Sequence, residues 1–158
     1  MKQGGDGRGA LFSEGASLST ALPPSRPAIE SVLLCYPRPM AIPRIIPLTG
    51  TIASEVSTPA ADRLLDGSPE QRVSNYFTDP SGQFFAGRWS STRGKWRVRY
   101  TENELCVMMA GRVVLTGDDG AVSSFGAGDA FVVPAGFTGT WEVIVDCTKI
   151  YAIFEKLT

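Results

Sequence analysis

The run GKWRVRYTENELCVMMAGRVVLTGDDG, residues 94–120, decides the fold. Trp96, Val98 and Tyr100 alternate with Lys95, Arg97 and Arg99. A period of two puts the first set on one face of a strand and the second on the other. ELCVMMA and RVVLT follow as two more strand-like runs joined at Gly111, and GDDG reads as a hairpin turn into AVSSF. Downstream, GAGD turns into AFVV, PAGFTG is a loop, and TWEVIV and TKIYAIFE close the domain. Upstream, FFAGRWS at residues 84–90 opens the series. Many short strands at close spacing, with no helical heptad and no repeat, predict an all-β sandwich or barrel.

Before this block the chain changes character. Residues 1–47 are rich in Gly, Ser and Pro, and read as a disordered or loosely docked leader. Residues 48–158 are expected to form one domain with its barrel core at 84–155. Met40 is an alternative translation start, which the intact mass of protein from its native source would decide. A helical turn is expected at residues 60–65, stopped by Gly67 and Pro69. Tyr76, Phe77, Phe84 and Phe85 supply aromatic bulk for a lid or first strand.

Composition removes whole classes of function. The net charge of −1 over 158 residues gives no basic stripe for nucleic acid or acidic lipid. No apolar run is long enough to span a bilayer as a helix. Cys35, Cys106 and Cys147 are odd in number and far apart, which argues against a disulfide framework and suits a reducing, cytoplasmic setting. The chain contains no histidine, so every mechanism that needs an imidazole ligand or base is excluded.

Four groups of residues invite a functional reading. Glu104 is the candidate catalytic acid or base, since a carboxylate inside a barrel is costly unless paired; the alternative is a salt bridge to Lys149 or an arginine. Cys106 shares its strand parity and so its cavity, as a nucleophile or as apolar filler. Tyr100 and Trp141 are candidate walls of a ligand pocket, while Trp96 reads as core. Lys149 and Tyr151 lie two apart on the last strand and face one way, so Lys149 meets either an anionic ligand or Glu104. Arg93, Lys95, Arg97 and Arg99 read as a solvated strand face that discourages edge aggregation.

The order of these pieces resembles the cupin superfamily. Gly128, then Pro134 and Gly136, match the start of the second cupin motif, and Glu104 with Gly111 match the end of the first. The histidine positions of the two motifs fall on Val98, Tyr100 and Gly139. Glu104 and Cys106, the Gly128–Asp129 turn, Trp141, and Lys149 with Tyr151 are similar to the small cupins related to (S)-ureidoglycine aminohydrolase and the ethanolamine-utilisation cupin. The resemblance implies a jelly-roll barrel, and for the aminohydrolase branch a manganese ion held by histidines. With only Glu104 of that ligand set present, no metal and no cofactor are expected. The favoured expectation is a small polar metabolite bound in the barrel by Tyr100, Glu104, Cys106, Trp141, Lys149 and Tyr151. The alternatives are a divergent aminohydrolase-like enzyme using Glu104, and a structural or regulatory homodimer.

Overall fold

The computed structural model describes residues 43–156 and the backbone of a short strand at residues 2–3. The expected leader, apart from 43–47, and the Met40 start lie outside the described residues. The elements are all strands: β1 (Lys2–Gln3), β2 (Glu55–Ser57), β3 (Leu64–Gly67), β4 (Gln71–Thr78), β5 (Phe84–Ser91), β6 (Gly94–Arg99), β7 (Asn103–Gly117), β8 (Val122–Gly126), β9 (Ala130–Val133) and β10 (Thr138–Phe154). The described residues contain no helix long and apolar enough to cross a membrane.

One antiparallel sheet curls back on itself, and two long bent strands do the curling. β10 pairs with β7 along nearly its whole length. Its first half also pairs with β6 and its second half with β5. β7 likewise pairs with β9 through its first half and β8 through its second. One half of the sheet therefore runs β2–β4–β5–β10–β7–β9, and the other runs β6–β10–β7–β8 with β3 and β1 on the outer edge of β6. The halves face each other across the core. Trp89 of β5 lies 6.3 Å from Trp96 of β6 and 5.8 Å from Trp141, ring centre to ring centre, and Phe125 of β8 stacks on Phe131 of β9 at 3.7 Å. This is the all-β roll expected from the alternation, in the jelly-roll form that the resemblance implied.

The expected break at Gly111 and the expected break before TKIYAIFE are bends within β7 and β10, not loops. Gly111 has φ +80°, and a Cβ there would meet the carbonyl of Asp146 and the Cys147 side chain. Glycine permits both the left-handed backbone and the close approach. Opposite it, β10 carries register shifts between Val143 and Lys149. Such bulges re-aim a strand without ending it.

Upstream of residue 84 the structure adds what the sequence reading left as mixed. Ala60 accepts from the amides of Arg63 and Leu64, which is the expected single turn, but Leu64 and Leu65 already belong to β3. Tyr76 and Phe77 sit on β4, an integral strand. The β4–β5 hairpin is held by Asp79, whose carboxylate accepts from the Ser81 hydroxyl at 2.5 Å and the amides of Ser81, Gln83 and Phe84. The hydrogen bonds from the Ser81 hydroxyl and the Phe84 amide lead in lowering its pKa from 3.8 to about 2. A depressed carboxylate stabilises the fold above its unfolded pKa and loses that contribution as pH falls through the folded value. The melting-temperature gap between wild type and Asp79→Ala is therefore expected to be full at pH 5 and to close as pH falls to 2. A gap independent of pH across that window would contradict the assignment.

Candidate functional site

The alternation that places Trp96 and Val98 inside does the same on β7 and β10. Glu104, Cys106 and Met108 point inward from β7, and Trp141, Lys149 and Tyr151 point inward from β10, all of them buried. In register, Lys149 stands opposite Met108, Tyr151 opposite Cys106, and Ile153 opposite Glu104. Lys149 and Glu104 are thus staggered by four residues, with Cys106 between them. Only a long side chain crosses that stagger, and Lys149 does. Its Nζ lies 3.0 Å from each oxygen of Glu104 and 3.3 Å from Cys106 Sγ. The same ammonium sits 4.4 Å from the ring centre of Trp141 and 5.1 Å from that of Trp89.

Two charges and a sulfur are therefore enclosed by aromatic walls, with Lys149 0% and Glu104 1% exposed. Burial works against the charge on Lys149, but the Glu104 carboxylate, together with the hydrogen bond to Cys106 Sγ, outweighs it, so its pKa is held above the ordinary lysine value. Burial pushes the Cys106 thiol far up, with the Glu104 charge adding to the shift, so it is no thiolate nucleophile. Cys147 is raised in the same way, to about 11.

The structure brings Glu104, Cys106, Trp141 and Lys149 into one cluster. Tyr151 lies beside it but turns its hydroxyl to Asn75, 3.1 Å away. Tyr100 is buried edge-on to Phe137, with ring centres 6.0 Å apart. The basic residues of β6 face outward, where Arg97 pairs with Asp118 and Lys95 with Glu142.

A metal ion of the kind the resemblance implies does not fit this donor set. The three histidine positions carry Val98, Tyr100 and Gly139, and the carboxylate of Glu104 is already bound by Lys149 through both oxygens. No group of three or more His, Cys, Asp or Glu side chains able to hold a metal occurs among the described residues. The ammonium is the cation of this barrel.

The open space lies next to the cluster. A cleft of about 420 Å³ is floored by Leu115, Phe125, Phe131, Val133 and Phe137 and edged by Asp118, Asp119, Ser123 and Thr138. None of the six candidate residues lines it. Phe131 joins the two regions, since its ring is 6.2 Å from Trp141 and its backbone stands opposite Cys106. Sequence reasoning missed the cleft because its floor comes from four separate segments. The faint signal was the period of two in AFVV, which sends Phe131 and Val133 inward together.

A double-sheet roll with this strand order, closed over a central inward-facing cluster, is the jelly-roll architecture of the cupin type. Residues 78–151 match the family described as the EutQ-like cupin domain. Among solved structures it is similar to a protein of unknown function of the DUF861 family from Pseudomonas syringae pv. tomato, with a TM-score of 0.61 and 25% identity over 68% of this chain and 46% of that one. It is also similar in fold to the EutQ protein of Clostridium difficile, with a TM-score of 0.50 and 17% identity over 54% of this chain and 63% of that one. A putative ethanolamine utilization protein Q from Salmonella typhimurium gives a TM-score of 0.50 and 12% identity over 66% of this chain and 98% of that one. The chain thus spans less than two thirds of the first two of these proteins. No curated protein matches it significantly in sequence.

Proposed function

We propose that this domain binds a small metabolite in the cleft between β7, β8 and β9, and that the buried Lys149–Glu104 pair is the fixed scaffold behind that site. The observation that carries the reading is the cleft itself, an aromatic floor with carboxylates and hydroxyls at its edge. Such a lining suits a ligand with one flat apolar face and hydroxyl, amino or amide donors directed at Asp118 and Asp119. A chemical role for Glu104 is disfavoured by geometry, because both its oxygens are engaged by Lys149 and the pair is sealed from solvent.

A thermal-shift screen with ureides, sugars and small carboxylates tests this. A ligand at a hundred times its Kd stabilises the native state by about 2.7 kcal/mol, so at least one class is expected to raise the melting temperature at millimolar concentration. The shift should vanish in Phe131→Ala. No response from any class sinks the binding reading. Ammonia release from ureidoglycine that depends on Glu104 would replace it with the acid–base enzyme.

A homodimer is the second reading, favoured by the outer face of the first half-sheet. Val132, Leu105 and Ala152 form one outward row, and Ala130, Val107 and Ile150 form the next. Val132 is 60% and Leu105 44% exposed, and these six residues carry no charge, the second row meeting Arg88 of β5 only beyond Ile150. An uncharged apolar face is complementary to its own copy across a two-fold axis. Light scattering at micromolar concentration is expected to give twice the chain mass, and Leu105→Glu to give the monomer. A monomeric wild type removes this reading.

A further inference from the structure

On the outer face of β4, β5 and β10, away from the cleft, the segment 50–54 roofs a smaller cavity of about 220 Å³. The roof is pinned by the Tyr76 hydroxyl, which donates to the Gly50 carbonyl at 2.7 Å, and by a 2.7 Å hydrogen bond between the hydroxyls of Ser54 and Ser74. Among the described residues the lining contains two arginines, Arg72 and Arg88, the hydroxyls of Ser74, Ser90 and Thr148, and no acidic residue.

Arg88 is the unusual member. It is half-buried, flanked in register by Ser74 and Ile150, and its Nε is shut away from solvent with no acceptor. Among the described residues no carboxylate forms an ion pair with it. A desolvated guanidinium N–H without an acceptor is costly. Under the roof the site therefore carries the charge of Arg88 beside the hydroxyls of Ser74, Ser90 and Thr148. Arg72 stands one pair along, opposite Ser90, and shares its charge with Glu70 at 2.6 Å. The guanidinium fork matches a carboxylate or phosphate in two parallel hydrogen bonds.

We infer that this roofed cavity is an oxyanion site, in which Arg88 grips a carboxylate or phosphate group and the hydroxyls of Ser90 and Thr148 supply further contacts. It shares no lining residue with the cleft, so it stands or falls independently of the metabolite proposed there. The bound group belongs either to a free anion or to a larger molecule that carries it.

The test uses the full chain at constant ionic strength, with chloride as the balancing anion. Inorganic phosphate and acetate are titrated separately, and binding is read by melting temperature and by calorimetry. At least one of the two is expected to give a saturable response that chloride does not. Arg88→Met should weaken it by about tenfold or more, the worth of a charge-assisted hydrogen bond. Ser90→Asp, which supplies an internal carboxylate beside Arg88, should abolish the response while leaving the fold intact, and it serves if Arg88→Met fails to fold. A response to phosphate alone assigns a phosphate group, and a response to acetate alone a carboxylate. No saturable response to either anion, or an unaltered response in the folded variants, overturns the inference.

Discussion

Lys149→Met is expected to destabilise the domain by about 3–5 kcal/mol, the cost of leaving one partner of a buried ion pair without the other. For a domain of this size that is a fall in melting temperature of roughly 10–20 °C. The substitution keeps an unbranched stem of similar length, so it leaves the packing nearly unchanged and removes the charge. What it exposes is Glu104, enclosed among aromatic rings with no cation at 3.0 Å. The lost attraction between the ammonium and the Trp141 ring adds to this, a contact worth up to about 2 kcal/mol when desolvated. The double variant Lys149→Met with Glu104→Met is expected to recover most of the loss, because an apolar pair of the same volume needs no compensation. The recovery separates charge from packing. A single variant within about 1 kcal/mol of wild type would show that Glu104 finds another partner or takes up a proton at no cost, and the scaffold role would fall.

The pairing of Lys149 with Glu104 was legible only as one of two options. Strand parity put Glu104 with Cys106 and Lys149 with Tyr151, and each pair does face inward. Parity says nothing about register between strands that lie forty residues apart. The bulges between Val143 and Lys149 then shift that register before the lysine is reached. The fold was more readable than the site, because β6 has its polar and apolar residues on separate faces. β4 was missed as a full strand for the converse reason. Its inward positions include the polar residues Gln71 and Asn75, so QRVSNYFT shows no clean alternation. Asn75 in turn anchors the Tyr151 hydroxyl, a contact across seventy-six residues that no local pattern encodes. The outer oxyanion cavity was hidden for a similar reason. Arg88 looks like an ordinary solvated residue of FFAGRWS until the segment at 50–54 is laid over it.

Gly139→Ala is expected to cost about 3 kcal/mol, the upper end of what overpacking does in a closed interior. Gly139 lies on β10 where it is flanked on both sides, by Val98 of β6 and Gly117 of β7. A Cβ there would run into the carbonyl oxygen of Thr116 and come within 3.0 Å of the Gly117 Cα. Both obstacles are backbone, which cannot rotate away as a side chain can. The position is also one of those where the cupin motifs place histidine. Restoring the metal cage by Gly139→His is therefore expected to fail at the first carbon of the new side chain, giving protein that melts well below wild type and carries no stoichiometric transition metal. Val98→His is the control. Val98 already directs a Cβ into the barrel, so this substitution should be the better tolerated of the two, with a cost set by the unpartnered imidazole at about 1–3 kcal/mol. If Gly139→Ala melts within about 1 kcal/mol of wild type, β7 and β10 yield more easily than their pairing implies. The ammonium and the close approach of three strands exclude the cage together. One fills its centre, and the other closes a corner from which a ligand would have to grow.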